Sequence, residues 1–175
     1  MKGRTHMVSG VALGYLAFNS MEILNVNLND SKTLLLVTGG LVLGSLLPDI
    51  DHPRSMISLR VKPIGFIVSK LFKHREYTHS IIGSLSMTFL IGILLNLLNI
   101  ETNINFIFLK ALFSGIASHI ILDMLTFHGV ALLYPFTKKR IRLLGNLYIP
   151  RTLEWGLWEI IISLVSVGVI YNFVM

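Results

Sequence analysis

All six histidines of this chain fall in four short polar clusters at the ends of apolar segments. The clusters are His6 within Arg4-Thr5-His6-Met7; Pro48-Asp49-Ile50-Asp51-His52-Pro53; His74-Arg75-Glu76-Tyr77-Thr78-His79-Ser80; and His119-Ile120-Ile121-Leu122-Asp123 followed by His128. Imidazole and carboxylate together are the ligand set of zinc and its first-row neighbours. Within membrane-spanning sequence, an ionisable residue marks a functional site by default. The chain has no cysteine, which excludes disulfides, thiolate ligands and a cysteine nucleophile. The pattern predicts a metal site built from nitrogen and oxygen ligands where several helices meet one membrane surface.

Spacing refines this. His119 and Asp123 are four apart, so on a helix they project from one face, one turn apart. Alone, such a pair is equally an intrahelical hydrogen bond. Asp49 and Asp51 follow an apolar run ended by Pro48, where carboxylates commonly cap turns. One can ligate while the other orients a ligand histidine. His79 precedes an apolar run, with Thr78 or Ser80 as N-cap. His6, Asp51, His79, His119 and Asp123 are the expected ligands, with Asp49 close behind them; Asp49 or His74 is expected to shuttle protons, and His74 is alternatively a ligand. Arg75 is expected to hold an anionic substrate or developing negative charge, with Arg151 and Glu154 as further substrate contacts. The plain alternative for Glu154 is a negative charge stabilising a helix N-terminus.

These residues need elements to position them. The chain has 175 residues, of which 53% are hydrophobic and 14% charged, a composition far from that of an ordinary soluble domain. Apolar runs lie at about 6–20, 33–48, 80–98, 105–127 and 155–175. Crossing a hydrocarbon core takes roughly 17–25 residues, and a lipid-exposed segment must satisfy its own backbone, which favours helices. The expectation is an all-α, polytopic bundle of about five transmembrane helices forming one domain over residues 1–175. The segment Pro63–Phe72 is too short to span and is flanked by basic residues, so it reads as an interfacial or re-entrant helix. Residues 129–153 are basic and turn-rich, suited to a lid. With strictly alternating spans, His6, Asp49/Asp51, His79, His119/Asp123 and Glu154 all fall on one face of the membrane.

The net charge of +6 agrees with this topology. Thirteen of the fifteen Lys and Arg residues fall on the same face as the motifs; Lys32 lies on the other face and Lys110 just inside a span. The positive-inside rule makes the motif face cytoplasmic. A second reading of the basic loops is recruitment of anionic lipid or another phosphate-bearing substrate. Nucleic acid is not expected as a partner. Small residues add a packing argument: Gly10 and Gly14 follow His6 at four-residue steps, Gly40 and Gly44 repeat that step, Gly83 follows His79 and Gly115 precedes His119. Such steps mark close helix–helix faces in membranes, which turns those histidines into the bundle.

The combination of Leu47-Pro48-Asp49-Ile50-Asp51-His52-Pro53, His74-Arg75-Glu76-Tyr77-Thr78-His79-Ser80 and the stretch from Ser118 to Phe136 resembles the YdjM-like family of membrane-bound metal-dependent hydrolases, also described as LexA-binding and inner-membrane-associated. The resemblance runs from His6 to about Glu154. It implies a metal-dependent hydrolase of the cytoplasmic membrane and a possible cytosolic regulator. The chain is more distantly similar to zinc-dependent phospholipase C and P1-type nucleases, all-helical enzymes that hold clustered zinc through His and Asp. Only His119-x-x-x-Asp123 matches their spacing directly.

The resulting expectation is an inner-membrane, multi-pass hydrolase. It would cleave a phosphoester of a membrane lipid or lipid-linked phosphate at a cytoplasm-facing site of two or three zinc ions, with manganese or iron(II) as alternatives. Three other readings remain: a non-catalytic scaffold or regulator-binding protein with a structural metal site, a metal-ion transporter, and a membrane metallopeptidase. A transporter would hold its ligands near the bilayer midplane, and the H-E-x-x-H signature of many metallopeptidases is absent. The oligomeric state is not legible in the residues.

Overall fold

Apolar runs without internal proline fold here as helices. The computed structural model describes residues 3–20, 28, 30–144 and 157–174. Along the chain these form α1 (Gly3–Ser20), α2 (Ser31–Leu46), a 3-10 helix (Leu47–Asp51), α3 (Met56–Arg60), α4 (Lys62–Leu71), a 3-10 turn (Tyr77–His79), α5 (Ile81–Leu97), α6 (Thr102–Met124) and α7 (Leu157–Val174). Among the described residues there is no sheet, only one antiparallel bridge between Val130 and Ile141.

The longest helix, α6, is the hub. It packs against α1, α2 and α5, while α7 packs against α1. Glycine sets the closeness of the central pair. A Cβ on Gly44 would lie 2.0 Å from the Leu112 carbonyl oxygen, and one on Gly115 would lie 2.5 Å from that of Leu41. At the α1 crossing, a Cβ on Gly10 would fall 2.5 Å from that of Ser45. The four-residue glycine steps thus mark real helix contacts. Gly83 works differently: its missing Cβ lets the start of α5 tuck against the carbonyl of Tyr77, in the turn that carries His79.

On α5 and α7 the distribution of polarity is inverted relative to a soluble helix. α5 buries Gly83, Ser84 and Gly92 and exposes Leu85, Phe89, Leu90 and Leu97. α7 likewise exposes Ile160, Leu164 and Val165 while burying Glu159 and Ser166. The most deeply buried side chains include His6, His79, His119 and Asp123. Such apolar outer faces suit helices that meet hydrocarbon, while inside, the polar cluster sits beside an apolar core that includes Leu41, Leu112 and Ile116.

The sequence predicts five spans. Among the described residues, two helices are long and apolar enough to cross a membrane: Ser31–Asp51, which joins α2 to its 3-10 extension, and Thr102–Met124. α5 and the apolar part of α7 (Glu159–Tyr171) are shorter. α1 carries Thr5, His6 and Ser9 on its buried side, which dilutes its apolar character. Five spans therefore reduce to two that satisfy length and composition.

Proline shapes the entry to the site. Pro48 has no N–H to give the Gly44 carbonyl, so α2 ends at Leu46 and the chain tightens into the 3-10 helix that bears Asp49 and Asp51. Pro63 sits at the start of α4, the short amphipathic helix expected over Pro63–Phe72. The described part of the 129–153 segment forms a strap. Its Val130 and Ile141 exchange hydrogen bonds of 3.2 and 2.8 Å, the Ala131 N–H donates to the Arg75 carbonyl, and the Leu132 carbonyl accepts from the Ile81 N–H. The rest of the expected lid, with Arg151 and Glu154, lies outside the described residues, as does Trp155.

Candidate metal centre

Four elements bring the polar clusters to one place. α1 contributes His6, the first 3-10 helix Asp49 and Asp51, the turn before α5 His79, and the last turns of α6 His119 and Asp123. His6 lies flat against His119, with ring centroids 3.8 Å apart and planes inclined by 16°. His6, Asp49, His79, His119 and Asp123 thus come together, while Glu154, expected beside them, lies outside the described residues.

The key distances fall in a narrow band. His79 Nε2 lies 3.8 Å from Asp49 Oδ1 and 3.5 Å from Asp123 Oδ2. His119 Nε2 lies 3.6 Å from the same Asp49 oxygen and 3.9 Å from Asp123 Oδ2. His6 Nε2 is 3.5 Å from Asp123 Oδ1. These separations are too long for hydrogen bonds. Tetrahedral ligands at about 2.0–2.2 Å from a common ion stand roughly 3.3–3.6 Å from one another. The atoms are spaced like ligands around a cation rather than like partners of each other.

Hydrogen bonding fixes which ring nitrogens face inward. His119 Nδ1–H donates to the Ser45 carbonyl at 2.6 Å, leaving Nε2 as the lone-pair atom. Thr78 has one hydroxyl proton, and it goes to Asp51 Oδ2. Toward His79 Nδ1, 3.0 Å away, Thr78 can therefore only accept. His79 Nδ1 thus carries a proton, and its Nε2 also faces Asp49 and Asp123. Both Nε2 atoms are buried without a hydrogen-bond partner, as is His6 Nδ1. Orphaned buried nitrogens are costly and call for an explanation. Two triads meet the spacing that one ion needs: His6, His119 and Asp123, and Asp49, His74 and His79. The residues present fit a His/Asp-bound divalent cation.

His79, outside the long apolar helices, is electrostatically unusual. Burial disfavours its charge, but the nearby carboxylates of Asp123 and Asp51 prevail and raise its pKa to about 9. That proton serves the carboxylates, and a cation held at Nε2 would take its place.

Two sequence expectations change in the structure. Asp51 is placed among the leading ligands by sequence, but both its oxygens are taken. Oδ1 accepts from His74 Nδ1 at 2.7 Å, and Oδ2 accepts from the Arg75 N–H at 3.2 Å and from Thr78. Asp51 orients the histidines, and Asp49 is the aspartate of this pair that faces both orphaned imidazoles. Arg75 is expected on substrate, yet its guanidinium turns inward. Nη2 meets Asp123 Oδ1 at 3.0 Å and Nη1 donates to Thr126 Oγ1 at 3.1 Å. Its φ of 66° is rare for a non-glycine residue; the Asp51, Asp123 and strap contacts over-determine it. The pairing with Thr126 has no sequence signal, because Thr126 carries no recognisable spacing to any cluster.

The site has one more open side. The His74 side chain is 37% exposed and that of Asp49 18%, against 0–1% for His6, His79, His119 and Asp123. With Nδ1–H given to Asp51, His74 presents Nε2 on that open side. His52 stands beside it, ring centroids 5.1 Å apart.

Known proteins are similar to this chain. The family described as YdjM inner membrane protein matches residues 1–174. A Bacillus subtilis (strain 168) protein named Uncharacterized protein YvsG is 33% identical over 143 residues, covering 82% of this chain and 78% of that one. The Inner membrane protein YdjM of Escherichia coli (strain K12) is 38% identical over 96 residues, covering 54% of this chain and 46% of that protein. Its namesake in Shigella flexneri gives the same values. The chain thus spans about half the length of these two YdjM relatives. No solved structure matches it. A family match along nearly the entire chain, over helices with apolar exteriors and a buried His/Asp cluster, places this protein in the YdjM inner membrane protein family.

Proposed function

We propose that this protein is a multi-pass, metal-dependent hydrolase of the cytoplasmic membrane, cleaving a phosphoester of a lipid or lipid-linked phosphate at a cytoplasm-facing site. The observation that carries this reading is the pair of orphaned Nε2 atoms of His79 and His119 opposite Asp49 and Asp123. His79, His119, Asp49 and Asp123 would hold a divalent cation, zinc in the first instance. His6 would join from the Asp123 side, and His74 with Asp49 would offer room on the open side for a second ion. When bound, such a cation supplies Lewis acidity near neutral pH.

The chain's own residues do the rest. Asp51 fixes the His74 tautomer, so that His74 Nε2 can accept or return a proton on the open side. Arg75 neutralises Asp123 and holds its Oδ2 toward the imidazoles. Burial keeps the Asp123 carboxylate from bulk water, which strengthens its hold on a cation. The position at helix ends, beside apolar outer faces, suits a substrate whose headgroup stays at the interface while its chains stay in lipid.

The test is metal content of detergent-purified protein by elemental mass spectrometry, wild type beside His119→Ala/Asp123→Ala, with folding checked by size exclusion. It is followed by turnover of phospholipid and lipid-phosphate substrates. Stoichiometric zinc, manganese or iron that is lost in a folded variant, together with turnover that needs it, supports the enzyme. Bound metal without turnover on any such substrate favours the scaffold with a structural metal site. Folded wild type that binds none of these ions after repletion ends the metallohydrolase reading.

A further inference from the structure

Two acid-free basic segments flank the centre. From residue 52 to residue 75 the chain carries six Lys and Arg residues and no Asp or Glu, and from 124 to 144 four and none. α4, in the first segment, packs against the 3-10 helix that bears Asp49 and Asp51. The strap, in the second, hangs by backbone hydrogen bonds from Arg75 and Ile81, on either side of His79. Both segments are therefore anchored on the residues that build the centre.

Their outer surfaces are amphipathic. At the strap tip Phe136 is 86% exposed, followed by exposed Lys138, Lys139 and Arg140. α4 exposes Phe66 between Lys62 and Lys70, and Lys70 lies 5.6 Å from the Phe66 ring centroid. A bilayer surface accommodates both: rings enter the headgroup boundary, and ammonium and guanidinium groups stay level with lipid phosphates. The absence of any carboxylate in either segment makes the field uniformly positive.

We propose that the strap and α4 form a docking surface for anionic phospholipid headgroups, centred on Lys138, Lys139 and Arg140 with Phe136 as the apolar anchor. It deepens the lipid-substrate reading, because it would concentrate anionic headgroups beside the open, His74 side of the centre, yet it does not depend on a bound metal. Each basic residue near an anionic surface strengthens attraction by about fivefold, so the cluster gives a selectivity that one residue would not.

The test uses the full chain in detergent micelles doped with equal phosphatidylglycerol and phosphatidylcholine, with retained lipids counted by native mass spectrometry. Wild type is expected to enrich phosphatidylglycerol. Lys138→Gln/Lys139→Gln/Arg140→Gln should lower that enrichment by about tenfold or more, while Lys32→Gln, an exposed cation at the start of α2, leaves it unchanged. Phe136→Ala should reduce total lipid retained without removing the preference. Equal enrichment in wild type and the triple variant overturns the proposal. Full displacement by excess inorganic phosphate also overturns it, since that would mark a site for a free anion rather than for a lipid surface. If the triple variant elutes aggregated, the milder Lys138→Gln/Lys139→Gln pair decides in the same way. Cation content measured on the same samples separates a failure here from a failure of the metal reading.

Discussion

Arg75 and Asp123 stand 48 positions apart in the chain and form a buried ion pair, with Nη2 3.0 Å from Oδ1. The pair joins the turn before α5 to the end of α6. It also leaves the other Asp123 oxygen pointing at His79 and His119. Removing one partner of a buried pair leaves an uncompensated charge, which costs about 3–5 kcal/mol. Arg75→Ala should therefore lower stability by that order in thermal unfolding of the solubilised, metal-free protein. Arg75→Lys should fall between the two, because one ammonium cannot match the planar fork that meets both Asp123 and Thr126. An Arg75→Ala protein as stable as wild type would contradict a structural role for the pair.

The two aspartates of the 3-10 helix should behave differently. Asp49→Asn removes the carboxylate that faces both orphaned imidazoles, and stoichiometric cation binding should be lost. Asp51→Asn disturbs the group that orients His74, Thr78 and the Arg75 backbone, and should weaken affinity by about 10–100-fold while retaining stoichiometry. Cation titration of the two purified variants makes the comparison. The opposite ranking would make Asp51 the ligand, as the sequence suggests.

Glycine substitutions separate close packing from mere composition. Gly44→Ala would force a methyl group to 2.0 Å from the Leu112 carbonyl oxygen, an obstacle of backbone rather than side chain. It should destabilise by about 1–3 kcal/mol or more. At Gly39 nothing lies within 4 Å of an added Cβ, and Gly39→Ala should be neutral or stabilising by up to about 1 kcal/mol. Unfolding temperatures of the two variants in one detergent give the answer; equal shifts would refute the α2–α6 contact.

Cation binding should depend on pH through His79. Its folded-state pKa is raised from 6.5 to about 9. The protonated ring thus stabilises the cation-free fold fully below about pH 6.5, and that contribution is lost as pH rises through about 9. A ligating Nε2 must be deprotonated, so protons and cations compete. Affinity should rise by up to about tenfold per pH unit at neutral pH and level off near pH 9. Isothermal titration across this range, in buffers of different ionisation enthalpy, should detect close to one proton released from His79 at neutral pH. A flat affinity profile with no proton release would remove His79 from the ligand set.

How much of this could be read from the residues varies with the physics involved. The composition and the placement of polar clusters at the ends of apolar runs were enough to predict an all-helical bundle with its histidines and aspartates converging at one end. Alternating helices must return their ends to the same side, and glycines four apart must face a neighbour. Span count was less legible: a run of apolar letters does not reveal that α1 turns Thr5, His6 and Ser9 inward, or that α5 stops at Leu97.

The division of labour within the centre belonged to tertiary structure alone. Pro48 announces that α2 ends, but only the 3-10 geometry after it decides that Asp49 faces the imidazoles while Asp51 is consumed by His74, Arg75 and Thr78. The left-handed backbone at Arg75 turns a residue that reads as an anion binder into the counter-charge of Asp123. Residue type and spacing determine which chemistry a cluster can support. Which atom meets which depends on backbone dihedrals and on contacts between segments tens of residues apart, and neither has a period that a sequence can display.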